Sequence, residues 1–98
     1  MKSIIQKEKE CFTCRVNYGV ETTTGLHDHH IFEGSARRKN SEKFGLKIYL
    51  CGRHHNLSRY GIHYQKQLDL ELKQLAQKKF EETHTREEFL KYFRRNYL

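Results

Sequence analysis

From Gln65 onward the apolar residues fall three and four apart: Leu68, Leu72, Leu75, Ala76 and Phe80 mark one face, with Lys, Gln and Glu between them. That spacing predicts an amphipathic helix with one buried stripe, and it leaves Leu70 as the apolar residue on the outer face. Thr85-Arg86-Glu87-Glu88 has the form of a capping box, in which a threonine hydroxyl accepts an orphan amide and a glutamate three residues later answers it. A second, shorter helix is predicted to begin there, with Phe89, Tyr92 and Phe93 inward and Arg94 and Arg95 near its negative end. Earlier in the chain the period shortens. Gly25 to Phe32 and Gly45 to Leu50 read as short extended segments able to pair as an antiparallel ribbon. Glu33 to Phe44, between them, is polar without a sustained period, which predicts a loop with at most one turn of helix. Arg53 to Arg59 is expected to start a helix that Gly61 stops.

A chain of 98 residues fits one domain, with residues 11–63 carrying the chemistry and residues 64–98 supporting it. Only 36% of the residues are apolar, so a metal is expected to supplement a modest core. All three cysteines and six of the seven histidines lie between Cys11 and His63, whereas His84 stands alone as a surface or packing residue. An odd cysteine count and the absence of a secretory leader in the first ten residues point to a reducing, cytoplasmic setting. No apolar run approaches the roughly 18 residues of a membrane span, so a soluble protein with no membrane partner is expected.

Charge narrows the partner. Residues 34–63 hold seven Lys and Arg against a single Glu, most of the chain's net +7. A basic segment of this kind favours a polyanion, because each neutralised phosphate releases counterions. Arg37, Arg38, Lys39, Lys43 and Lys47 are the candidate phosphate contacts, with Arg53 and Arg59 as additions. Backbone contacts of this type carry no sequence information.

Cys11-Phe12-Thr13-Cys14 and Cys51-Gly52-Arg53-His54 each set two soft ligands three positions apart, which lets one tight turn present both to a tetrahedral ion. Together they make a Cys3His set, suited to structural Zn2+ with no open coordination position. The competing reading is a redox CxxC with Cys51 as a core thiol, but a redox pair would sit in a βαβ unit that this chain does not display.

Asp28-His29-His30-Ile31 followed by Cys51-x-x-His54-His55 resembles the HNH endonuclease family over roughly residues 11 to 60. The resemblance implies an α+β fold: a small ββα-metal finger stapled by the Cys3His zinc site and followed by two C-terminal helices. It implies a metal-dependent DNA endonuclease in which His30 is the general base before Ile31. His29 and His55 hold the catalytic divalent ion, and His54 belongs to the zinc site. Imidazole, titrating near pH 6.5, suits the base role. A divalent ion suits the phosphoryl charge and the leaving 3′ oxygen. Mg2+ or Mn2+ would favour oxygen ligands, and Zn2+, Ni2+ or Co2+ the imidazoles. Asp28 is either a ligand or a partner that fixes a histidine tautomer, while Asn56 and His63 are further candidates behind the ligands, and His27 lies close in sequence. The family's middle asparagine is missing; Lys47 occupies its neighbourhood, with Asn40 or Asn56 as substitutes. Phage and prophage proteins of this type imply DNA-packaging proteins as partners. The alternatives are a non-catalytic zinc-containing nucleic-acid-binding module and a small protein-binding adaptor.

Overall fold

The computed structural model describes residues 2–56, 58 and 60–98. It is a small α+β fold built on a two-stranded antiparallel sheet, β1 (Leu26–His30) and β2 (Lys47–Cys51), in which His29 pairs with Ile48 and Leu26 with Cys51. Helix α1 (Phe12–Tyr18) precedes the sheet, α2 (Ser35–Phe44) crosses between the strands, and α3 (Gly52–His55) follows β2 directly. A 3-10 turn at Ile62–Tyr64 leads into α4 (Lys66–Phe80) and α5 (Arg86–Phe93). No helix among the described residues is long and apolar enough to cross a membrane.

The two C-terminal helices stand where periodicity put them. Leu72, Ala76 and Phe80 are buried along α4, and Phe89 and Phe93 along α5. Thr85 accepts the Glu88 amide at 3.1 Å while the Glu88 carboxylate accepts from the Thr85 amide at 3.1 Å, the reciprocal bonds of a capping box. The two leucines at the edge of the stripe exchange roles: Leu68 is exposed beside Phe12 and Val16 in a shallow groove, and Leu70 packs partly against the core. Aromatic rings fill the centre. Phe32 lies 4.6 Å from Phe93 and 5.4 Å from Phe89, centroid to centroid, so the chain two residues past β1 is clamped by α5.

The segment expected to be a loop is instead the ten-residue helix α2. Apolar periodicity could not reveal it, because polar side chains do its docking. The fully buried Ser41 hydroxyl accepts the Phe32 amide at 3.1 Å and donates to the Phe32 carbonyl at 3.2 Å. The Asn40 amide donates to the Tyr92 carbonyl on α5 at 2.9 Å. Gly45 ends the helix in the left-handed region at φ 70°, and a Cβ there would also run into the Lys2 carbonyl. The CxxC segment likewise opens a helix rather than an isolated turn: the Cys11 sulfur caps α1 by accepting from the Cys14 amide.

The helix expected over residues 53–59 is four residues long and ends at Asn56, while Leu57 and Arg59 lie outside the described residues. Gly61 then packs so tightly on the end of α3 that a Cβ would strike the His55 carbonyl. That close approach turns the chain back and brings His63 over His55.

Candidate metal centre

Two clusters of metal-ligating side chains flank α3. The first joins the start of α1 to the turn from β2 into α3. His54 Nδ1 stands 3.6 Å from the Cys11 sulfur, 3.4 Å from that of Cys14 and 3.3 Å from that of Cys51, and the Cys14 and Cys51 sulfurs are 3.9 Å apart. A tetrahedral ion with sulfur at about 2.3 Å and nitrogen near 2.0–2.1 Å has edges of about 3.8 Å between sulfurs and about 3.5 Å from sulfur to nitrogen. These four separations lie within about 0.2 Å of those edges. All three cysteines are free of disulfides. Burial pushes the Cys11 thiol up to about 11. Burial pushes Cys51 the same way, but hydrogen bonds from the His54 amide and the neighbouring thiols outweigh it and hold Cys51 below its usual range. Burial, with Arg53 adding to it, lowers His54 and keeps it neutral. Three crowded sulfurs facing one neutral imidazole are a donor set that a thiophilic cation such as Zn2+ satisfies.

The second cluster lies on the other flank of α3. In β1, His27 and His29 both approach His55 of α3, while Asp28 is exposed and His30 meets Glu42 and Arg38 of α2. His29, His55 and His63 each place one ring nitrogen within 4.8 Å of the others. His55 Nε2 and His63 Nε2 are 3.3 Å apart, the edge expected for two nitrogens on one tetrahedral ion at about 2.0–2.1 Å. His29 is 2% exposed, and its Nε2 is the one buried side-chain polar atom without a hydrogen-bond partner among the described residues. Such an orphan costs stability unless something fills it. Burial, reinforced by His55 and His63, holds the His29 imidazole down at about 3, so its lone pair is available at neutral pH. His55 is also lowered, by burial and then by His63 and His27.

The remaining predicted residues divide around this cluster. His63, expected behind the ligands, places a ring nitrogen within 4.8 Å of those of His29 and His55, and His27 Nδ1 meets His55 Nδ1 at 2.8 Å. Asp28 is exposed at the mouth of a cleft of about 230 Å³ that His29, His30, Arg38, His55 and His63 also line. Asn56 caps α3 on the surface. Asn40 is committed to the Tyr92 carbonyl. His30 sits on the rim: its Nε2 faces the Glu42 carboxylate at 3.4 Å, and its Nδ1 accepts from Arg38 Nε at 3.4 Å. His84 stacks on Phe80 with centroids 4.4 Å apart, a packing histidine.

Arg37, Arg38 and Lys39 project from α2 into solvent. Lys43 is exposed as well, its ammonium over the Phe44 and Tyr92 rings. Lys47 differs. Its ammonium is 2.8 Å from Glu42, which raises Lys47 and lowers Glu42 to about 2, chiefly through that hydrogen bond. Lys47 therefore neutralises Glu42 beside His30 instead of standing free. Sequence reasoning passed over Glu42 entirely, and also Glu33 and Asp69, which come within 4.8 Å of a His29 nitrogen and of each other.

Comparison with protein families, with curated proteins and with solved structures finds no significant match to this chain.

Proposed function

We propose that this protein is a metal-dependent DNA endonuclease of the HNH type, which hydrolyses phosphodiester bonds with His30 as general base. In this reading His29 and His55, joined by His63, hold the catalytic divalent ion, and the Cys3His centre holds structural Zn2+. The observation that carries the reading is the second cluster. A zinc-stapled binding module is complete with four ligands, so two further imidazoles, His55 and His63, gathered around the buried His29 ring call for a second ion. The arrangement also agrees with a ββα-metal finger: β1 offers His29 and His30, and α3, which follows β2, offers His55.

Bound there, a divalent ion would supply charge stabilisation to the phosphoryl group and to the departing oxygen. The protein's own residues do the rest. Glu42, an acceptor only, favours the proton on His30 Nε2 and so leaves the Nδ1 lone pair as the basic site. Arg38 donates to that lone pair in the free protein. An arriving phosphate competes for the guanidinium and frees Nδ1 to take a proton from water. The water oxygen then bonds to phosphorus as the bond to the 3′ oxygen breaks, and that oxygen leaves with a proton from solvent. Arg37, Lys39 and Lys43 hold flanking phosphates.

Relaxation of supercoiled plasmid with a panel of divalent ions tests this reading. The native chain should nick, and His30→Ala should abolish nicking while still retaining DNA in a gel. If native and variant are equally inert with every ion, the protein is a zinc-containing nucleic-acid-binding module instead.

A further inference from the structure

Glu33 belongs to neither motif that carries the resemblance and Asp69 lies beyond it, yet each places a carboxylate oxygen within 4.8 Å of a His29 nitrogen and of the other. Glu33 lies just beyond β1, and Asp69 occupies the first turn of α4. His29 thus belongs to two ligand sets at once: an all-imidazole set with His55 and His63, and a mixed set with Glu33 and Asp69. The ligand atoms lie within 4.8 Å of one another, and an octahedral ion with oxygen at about 2.1 Å, whose opposite ligands stand about 4.2 Å apart, would draw them closer. The His29 ring common to both sets is 2% exposed and its Nε2 has no hydrogen-bond partner, which points independently to a ligand at this side chain.

We propose that His29 is the pivot of two alternative cation positions, and that Glu33 and Asp69 form the one that takes a hard, oxygen-preferring ion such as Mn2+. His55 and His63 then form the position for a borderline ion such as Co2+ or Zn2+.

The present partners of the two carboxylates leave room for this role. Asp69 Oδ2 is 2.8 Å from the Lys73 ammonium, and its other oxygen remains as a donor. Glu33 Oε1 lies 3.4 Å from His63 Nδ1. When the imidazole set is filled, Glu33 favours the His63 tautomer that carries its proton on Nδ1 and presents Nε2 to the ion. When the mixed set is filled, the same carboxylate becomes a ligand. Oxygen donors favour Mn2+ and imidazoles favour Co2+ and Zn2+, so the choice of position follows the softness of the ion. Asp69 would also join α4 to the cleft, giving the supporting helix a direct part in ion binding.

This inference rests on the cation-binding part of the proposed function and not on DNA cleavage, so its test contains no DNA. Protein loaded with one equivalent of Zn2+ at the Cys3His centre is titrated with Mn2+, followed by the loss of the free-ion electron paramagnetic resonance signal. Co2+ is followed in parallel by its visible absorption. Asp69→Asn and the exposed Glu33→Gln, whose amide oxygen still accepts from His63 Nδ1, should each weaken Mn2+ at least tenfold and leave Co2+ within about threefold, whereas His63→Ala should do the reverse. Lys73→Met removes the ion pair but keeps the donor, and it should not weaken Mn2+. Three outcomes would overturn the proposal: a native chain that binds no Mn2+, carboxylate variants that bind Mn2+ like the native chain, or variants that alter both ions in parallel. Mn2+ held through Asp69 by a protein that cuts no DNA would sink the endonuclease reading and leave this one standing.

Discussion

His27 Nδ1 lies 2.8 Å from His55 Nδ1, while Nε2 of the same His55 ring faces His63 at 3.3 Å. One proton serves the first contact, and its position decides whether His55 can bind a metal. With the proton on His55 Nδ1, His27 accepts it and His55 Nε2 keeps a lone pair for the ion; with the proton on His27, neutral His55 carries N–H at Nε2 and cannot ligate there. Under the proposed function, His27 is therefore a positioning residue. His27→Phe keeps a ring on the strand but removes the acceptor, and it should weaken Co2+ binding at the second cluster by about 10- to 100-fold. His27→Gln, which restores an acceptor, should recover part of the loss. Equal affinities for native protein and His27→Phe in a Co2+ titration would show that the contact does not set the tautomer.

The Cys3His centre ties α1 to the turn between β2 and α3. A bound tetrahedral ion there contributes directly to folding, because the ligand set does not exist in the unfolded chain. The native protein should carry one tightly held zinc by elemental analysis, and Cys14→Ser should lose it together with the cooperative thermal transition. Chelation of native protein should have the same effect, reversed by adding Zn2+. A zinc-free chain that melts as the native one does would rule out a structural role. The two clusters should respond separately: His63→Ala should keep the zinc and the fold, since His63 is exposed and its ring faces His29, His55 and Glu33.

The parts of this architecture that can be read in the sequence are those fixed by local spacing. Leu72, Ala76 and Phe80 announce α4, Thr85 and Glu88 announce α5, and the two ligand pairs at i and i+3 announce the Cys3His geometry. Helix α2 escapes because Ser41, Asn40 and Gly45 hold it in place through hydrogen bonds and a close backbone approach, none of which has a hydrophobic period. The composition of the second cluster is tertiary. His29 and His55 stand out beside His30 and His54, but His63 arrives only because Gly61 lets the chain fold back on the His55 carbonyl. Asp69 arrives only because α4 starts beside the cleft, and an acid in the first turn of a helix is common enough to attract no notice by itself.

Helix α5 holds Phe32 through Phe89 and Phe93, and Phe32 follows β1 by two residues, so the cap of α5 bears on the strand that carries His29 and His30. Removing the capping hydroxyl in Thr85→Ala should cost about 1 kcal/mol in urea unfolding. The other half of the box is pH-dependent. Glu88 is held below its ordinary value of 4.5, first by the Thr85 amide and then by the Thr85 hydroxyl, His84 and Lys91. A carboxylate whose folded value is depressed stabilises the fold fully above its unfolded value and loses that contribution as the pH falls through the folded one. Glu88→Gln keeps an acceptor oxygen but no charge, so it should be less stable than the native chain at pH 7. The gap should close as the pH falls from about 5.5 through 4.5 and below, where the native carboxylate takes up its proton. Urea midpoints of zinc-loaded native and variant protein across that range measure the gap. A gap that stays constant would mean that the hydrogen bond, and not the charge, is the whole contribution of Glu88.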